Sequence, residues 1–206
     1  DIYANLLASL DTYSPRVVGF DILFAETRKG DDVLTKTLRT LKTDVVFGSK
    51  LEEGVYIPSI YTGLSPRVHE GVVNVFPDND AKVRSVQNYF SYNKECLPSF
   101  SKKILTVATK SSEYVPGTCD TKQHLFRYQE NISKISFVDV VDKSVPVDAL
   151  KDKIVLVGFA TTDLEQDSFF GLFGHKINGV EIHASAVAHT LNNTHLVKVP
   201  PLLTLI

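Results

Sequence analysis

The chain has 206 residues, with 22 Lys plus Arg against 24 Asp plus Glu and a formal charge of -2. Hydrophobic residues at 43% and charged residues at 22%, with 11 Gly and 9 Pro, exclude a collagen-like, coiled-coil or disordered chain and leave one compact domain as the expectation. No basic run is available to follow a phosphate backbone, so nucleic acid is not an expected partner.

Ile2, Leu6, Leu7 and Leu10 recur at helical spacing until Ser14-Pro15, which predicts a short amphipathic helix. The run from Val17 to Phe24 is apolar and β-branched except for Asp21, so it reads as a strand buried on both faces. Asp31 and Asp32 are expected caps of a second helix, whose apolar stripe is Val33, Leu34, Thr37, Leu38 and Leu41. A short strand over residues 44–48 follows. Strand, helix and strand at this spacing are the grammar of a parallel βαβ unit with a right-handed crossover.

Glycines and prolines punctuate residues 54–66 too densely to assign elements. A strand over 71–76, a polar turn at Pro77-Asp78-Asn79-Asp80 and an extended segment from Val83 towards Tyr92 form an expected strand-turn-strand unit. Phe100 to Lys110 fits an amphipathic helix. A strand is expected at Leu125 to Tyr128, and Ile135, Phe137, Val138 and Val141 lead to a turn near Ser144. Ile154 to Phe159 is a continuous apolar strand, expected at the centre of the sheet beside the Val17 strand. Residues 161–176 read as a loop. Val180, His183, Ala184, Val187, Ala188 and Leu191 then share one face of a helix after Asn178-Gly179.

Cys96 and Cys119 are the only cysteines and fall in a polar, loop-like stretch. One reading is a disulfide, worth roughly 3 kcal/mol in the chain-entropy model and requiring an oxidising compartment; the other is two unrelated small buried residues. The final residues from Val199 run apolar through Pro200-Pro201 to Ile206, either as a buried terminal element or as the mouth of a truncated transmembrane helix. The start at Asp1 and the absence of methionine suggest a segment of a longer protein.

Asp21 is the chemical anomaly, because a carboxylate in a buried strand costs several kcal/mol unless it meets donors or a cation. A structural role facing backbone N–H groups, Arg84 or a lysine competes with a ligand or metal contact at the carboxyl end of parallel strands. Asp163, Glu165 and Asp167 alternate in the long loop; they could join Asp21 around a hard cation or form a solvated acidic loop. His183 lies near the start of the last helix, where Glu181 suits the dipole and a charged imidazole does not. It is either a neutral hydrogen-bonded core residue or half of an acid–base pair, which requires Asp21 or Asp167 within about 3 Å. Nucleotide-loop, nucleophile-elbow and zinc motifs are absent, so neither cofactor nor resident metal is expected, and no residue is nominated as catalytic. A metal-assisted hydrolase and a structural or protein-binding envelope domain remain the alternatives.

Several segments together resemble the second class of CHASE domain, the cyclase- and histidine-kinase-associated sensory extracellular module. They are Val18 to Phe24, Gly71 to Asn74 with Asp78-Asn79-Asp80-Ala81 and Arg84, Lys153 to Gly158, and, most specifically, Gly179-Val180-Glu181-Ile182-His183-Ala184. Ala81 stands where glycine is common, and Phe159 where a small or polar residue is usual. The resemblance implies an α/β single domain with a mixed, mainly parallel central sheet flanked by helices. It also implies an input domain outside the cytoplasmic membrane, either periplasmic or at the cell surface, connected through membrane helices to a cyclase, kinase or related output. The expected division is a sensor domain over residues 1–199 and the start of a transmembrane helix over 200–206. Expected partners are an unknown small molecule or envelope protein, the receptor's own membrane helices and output domain, and a second copy in a homodimer. Asp21, Arg84, Asp163, Asp167 and His183 are candidate ligand-binding residues, with Gly158, Gly179 and Glu181 in structural roles.

Overall fold

The computed structural model describes residues 2–111, 119–129, 131–159, 168–171, 176–192 and 196. Helix α1 (Ile2–Tyr13) buries Leu6, Leu7 and Leu10 as its spacing predicts, and Ser14 ends it in the left-handed region at φ 55°. Asp11 fixes its far end by accepting the backbone N–H of Thr43 at 2.9 Å. Strand β1 (Val17–Leu23) follows, then α2 (Asp31–Thr40) and β2 (Val45–Glu52). The cap of α2 is Gly30, at φ 104°, rather than Asp31 or Asp32, which occupy the first turn and face the dipole from there. Only part of the expected stripe is covered: Leu34 and Leu38 are buried, whereas Val33 is exposed.

β3 (Val55–Ile57) folds back on the end of β2 as a hairpin, with Gly54 at φ 78° in the turn. β4 (Val68–Val72) begins before the expected position and pairs parallel with β2. The expected turn follows β4, and the strands on its two sides take separate partners. Beyond the turn, β5 (Ser85–Gln87) pairs with β8 (Gln123–Leu125), while β6 (Tyr89–Tyr92) pairs with β7 (Glu95–Pro98). β8 precedes the strand expected at Leu125 to Tyr128. Between β7 and β8 lies α3 (Phe100–Thr109), where the Ser99 side chain accepts the Lys102 N–H. Cys96, in β7 rather than a loop, is bonded to Cys119 with Cα atoms 5.4 Å apart.

Two short helices, α4 (Phe137–Val141) and α5 (Val147–Leu150), lead to β9 (Ile154–Val157). The expected long loop contains β10 (Ser168–Phe170), paired antiparallel with β11 (Lys176–Asn178). The last described helix is α6 (Gly179–Leu191). No helix among the described residues is long and apolar enough to cross a membrane.

The main sheet has five strands, four of them parallel in the order β4-β2-β1-β9. The fold class is thus the mixed, mostly parallel α/β sheet that the sequence implies. β9 does lie beside β1, Val17 opposite Ile154 and Phe20 opposite Val157, but at the edge of the sheet and not at its centre. Its apolar run reports that both faces are covered and carries no information about the in-plane neighbour.

Alternation along the strands divides the core. Val18, Phe20, Val45 and Phe47 pack with α1 and α2 on one face, while Val17 and Val46 meet Phe100 and Ile104 of α3 and Val187 of α6 on the other. Close approach on this second face depends on glycine at Gly71, where a Cβ would lie 2.7 Å from the Phe100 Cα. α6 buries two sides, not the single face expected, because Ile182 and Ala186 also pack with Val83, Phe126 and Ile177 beneath the small sheets.

Candidate functional site

Numbered by their order along the chain, the four parallel strands lie third, second, first, fourth. Chain connections leave β1 towards β2 on one side and return to β9 on the other. In open α/β sheets this reversal leaves a crevice beyond the carboxyl ends of the two strands. Phe20 is level with Val157, so the next residues, Asp21 and Gly158, stand at that crevice. α6 starts over the same point, and Gly158 admits it: a Cβ there would lie 2.7 Å from the Val180 Cβ. Gly179 is buried as the first residue of α6.

Asp21 continues the parity of Val17 and Gly19 and therefore points to the α3–α6 face, where it meets His183 rather than Arg84 or a lysine. Their closest atoms, Asp21 Oδ1 and His183 Nε2, are 3.9 Å apart, with both side chains more than nine-tenths buried. Among the described residues Asp21 Oδ2 has no hydrogen-bond partner. Burial pushes the Asp21 carboxyl up to about 7.

His183 is held from two sides. Its Nε2 lies 3.2 Å from the Val73 carbonyl oxygen just past β4, its Nδ1 lies 2.9 Å from the Ser101 hydroxyl in the first turn of α3, and its ring meets Phe100 edge-on at 5.1 Å. A carbonyl only accepts, so Nε2 carries the proton and Nδ1 accepts from the Ser101 hydroxyl. This tautomer turns no lone pair towards Asp21, and 3.9 Å exceeds the reach of direct proton transfer. The arrangement holds α6 against α3 and the end of β4, with the buried Asp21 carboxyl beside the ring.

Glu181 anchors the start of α6. Its carboxylate accepts the Asn178 backbone N–H at 3.1 Å and pairs with Lys134. Burial raises its affinity for a proton, but Lys134 and the Asn178 N–H outweigh that and hold it below the ordinary glutamate range. Arg84 is engaged elsewhere, with two bonds of 2.7 Å to Asp80 and one of 2.8 Å to Asp78, which holds the Asp80 carboxyl well below the usual range. It thus braces the turn after β4. Asp163, Glu165 and Asp167 lie outside the described residues. Among the described residues, no group of three His, Cys, Asp or Glu side chains could hold a metal ion.

The first βα turn is where doubly wound folds place a ligand phosphate. Here Asp31 and Asp32 fill the first turn of α2, and Asp31 accepts the Arg28 N–H. Carboxylates already stand where the anion would sit. Sequence reasoning singled out Asp21 and His183 but passed over Ser101 and the Val73 carbonyl. A signal for Ser101 existed: Ser101, Ile104, Leu105 and Ala108 are spaced by three, one and three, which places the hydroxyl on the buried face of α3.

Compared with protein-family models, the sequence matches the CHASE2 domain over residues 1–206. No curated protein and no solved structure matches.

Proposed function

The chain belongs to the CHASE2 domain family, and from that membership we propose that residues 1–199 are the ligand- or stress-sensing input domain of a membrane-bound receptor, with residues 200–206 opening a transmembrane helix. CHASE2 domains are non-catalytic, extracytoplasmic sensory modules, found fused to transmembrane segments and cytoplasmic histidine-kinase or cyclase modules. The disulfide between Cys96 and Cys119 is in keeping with an oxidising compartment.

The observation that carries the reading is that Asp21 and His183 are buried 3.9 Å apart where the carboxyl end of β1 meets α6, the last described helix. A small molecule or envelope protein that favours one packing of α6 over another shifts the population of receptor states, and the membrane helices pass that shift to the output. A twofold change in a minor state needs only about 0.4 kcal/mol of differential stabilisation. A homodimer gives the membrane helices a partner to move against.

The test uses the full-length receptor in vesicles and screens envelope extract fractions for a change in output. Asp21→Asn and His183→Gln receptors are expected to lose at least half of that response while still folding, as judged by far-UV circular dichroism. Equal responses in wild type and both variants would refute a signalling role for this pair.

A further inference from the structure

Along its outer side β9 has no partner strand among the described residues, and a groove of about 650 Å³ opens there. Its floor is the backbone edge of Ile154 to Gly158. Leu6, Phe137 and Val140 form one wall, Val180 and Ala184 of α6 the other, and the 132–136 segment makes the outer lip. Edge strands are ordinarily blunted by an inward charge, a proline or a bulge. Ile154-Val155-Leu156-Val157 has none, and its register with β1 is unbroken. Exposed Ile135, Phe137 and Val138 extend the apolar character on and beside the lip.

Three occupants compete. A second copy would need its own β9 to reach this one, yet both edges lie recessed between walls. Pairing over four residues also buries far less than the roughly 1,600 Å² of a standard interface. A compact small molecule fits the volume but pairs poorly with the backbone N–H and C=O groups of β9 that face away from β1. An extended peptide satisfies them: five residues span about 17 Å, the length of the floor, and alternate side chains turn into the apolar walls. The charges add a preference. Lys134 is engaged by Glu181, whereas Lys153, at the entry to β9, has no ion pair among the described residues, so the lining carries a surplus positive charge.

We propose that this groove binds an extended apolar peptide segment of an envelope protein, which adds to β9 as an antiparallel strand and places a carboxylate beside Lys153. The α6 wall adjoins His183, so an inserted strand presses on the helix assigned above to signalling. The inference rests on the sensory reading for its purpose only; occupancy is measured without any receptor output.

The test adds an acetylated five-residue peptide of alternating valine and threonine to the 206-residue chain, as the free acid or the C-terminal amide, and follows hydrogen exchange of the Ile154 and Leu156 amides, which face away from β1, by NMR. Saturating peptide is expected to slow those amides at least tenfold. The free acid should bind at least threefold more tightly than the amide, and Lys153→Gln should erase that preference. Ala184→Arg, on the half-buried wall, should abolish the protection; should it fail to fold, the Lys153→Gln comparison still decides. No protection at millimolar peptide overturns the proposal. So does protection without peptide, which by sedimentation would mean a second copy if the chain is dimeric and its own segment if monomeric. Bound peptide with unchanged receptor output would refute the sensory reading and leave the groove assignment standing.

Discussion

Asp21→Asn retains the size of the side chain and removes its titration, so it isolates the free energy of charging a carboxyl at the crevice. In the folded chain Asp21 holds its proton up to about pH 7, against 3.8 for the ordinary group. Between those values the folded state binds more protons than the unfolded state, and stability falls as pH rises. The contribution is fully present below pH 3.8, declines through the acid range and is lost once pH has passed about 7. A gap of roughly three units at about 1.4 kcal/mol each gives about 4 kcal/mol. Water entering the site on ionisation reduces that figure, which is therefore a ceiling.

Urea unfolding of both proteins at half-unit steps from pH 4 to pH 8, followed by far-UV circular dichroism, measures the effect. The stability difference between Asp21→Asn and wild type should grow in favour of the variant by about 2–4 kcal/mol across that range, with unchanged urea dependence. Subtraction removes the titration of the groups that lie far from Asp21. Parallel curves, differing by a constant within about 0.5 kcal/mol, would refute the claim that burial governs this carboxyl.

Two further predictions concern the scaffold. Gly71→Ala places a methyl 2.7 Å from the Phe100 backbone, which cannot yield as a flexible side chain could, so thermal or urea unfolding should show a loss of about 1–3 kcal/mol. Full retention of stability would mean that α3 is free to shift. Replacing Cys96 and Cys119 by serine should cost roughly 3 kcal/mol in the same assay, and the wild-type chain purified without reductant should show no free thiol. A titre near two would remove the bridge.

The scaffold was legible in the sequence to the extent that burial imposes a period. β1, β2 and the helix between them follow from apolar runs and one amphipathic stripe, and α1 and α3 from spacings of three and four. Pairing partners are a different kind of information. The apolar residues of β9 report two covered faces and are silent about whether another strand lies alongside, so the edge position was missed. β5 and β8 are three residues long and pair across β6, β7 and α3, which leaves no local pattern to read. At the site, Asp21 betrayed itself by interrupting an apolar run and His183 by lying within the family's most specific motif. Their meeting depends on α6 lying over the end of β1, and that follows only from the third-second-first-fourth strand order.

The same order imposes a history on folding. β1 can join β2 after a short helical crossover, but its other neighbour, β9, comes only after β2 to β8 and the helices among them. Until those late residues arrive, Val17 to Phe20 keep one flank of open hydrogen-bonding groups beside bare hydrophobic surface, a template for unwanted strand pairing. Loop-closure entropy makes so distant a contact slow to form. This domain therefore has to be shielded, or assembled quickly, during the interval in which its first half exists without its last.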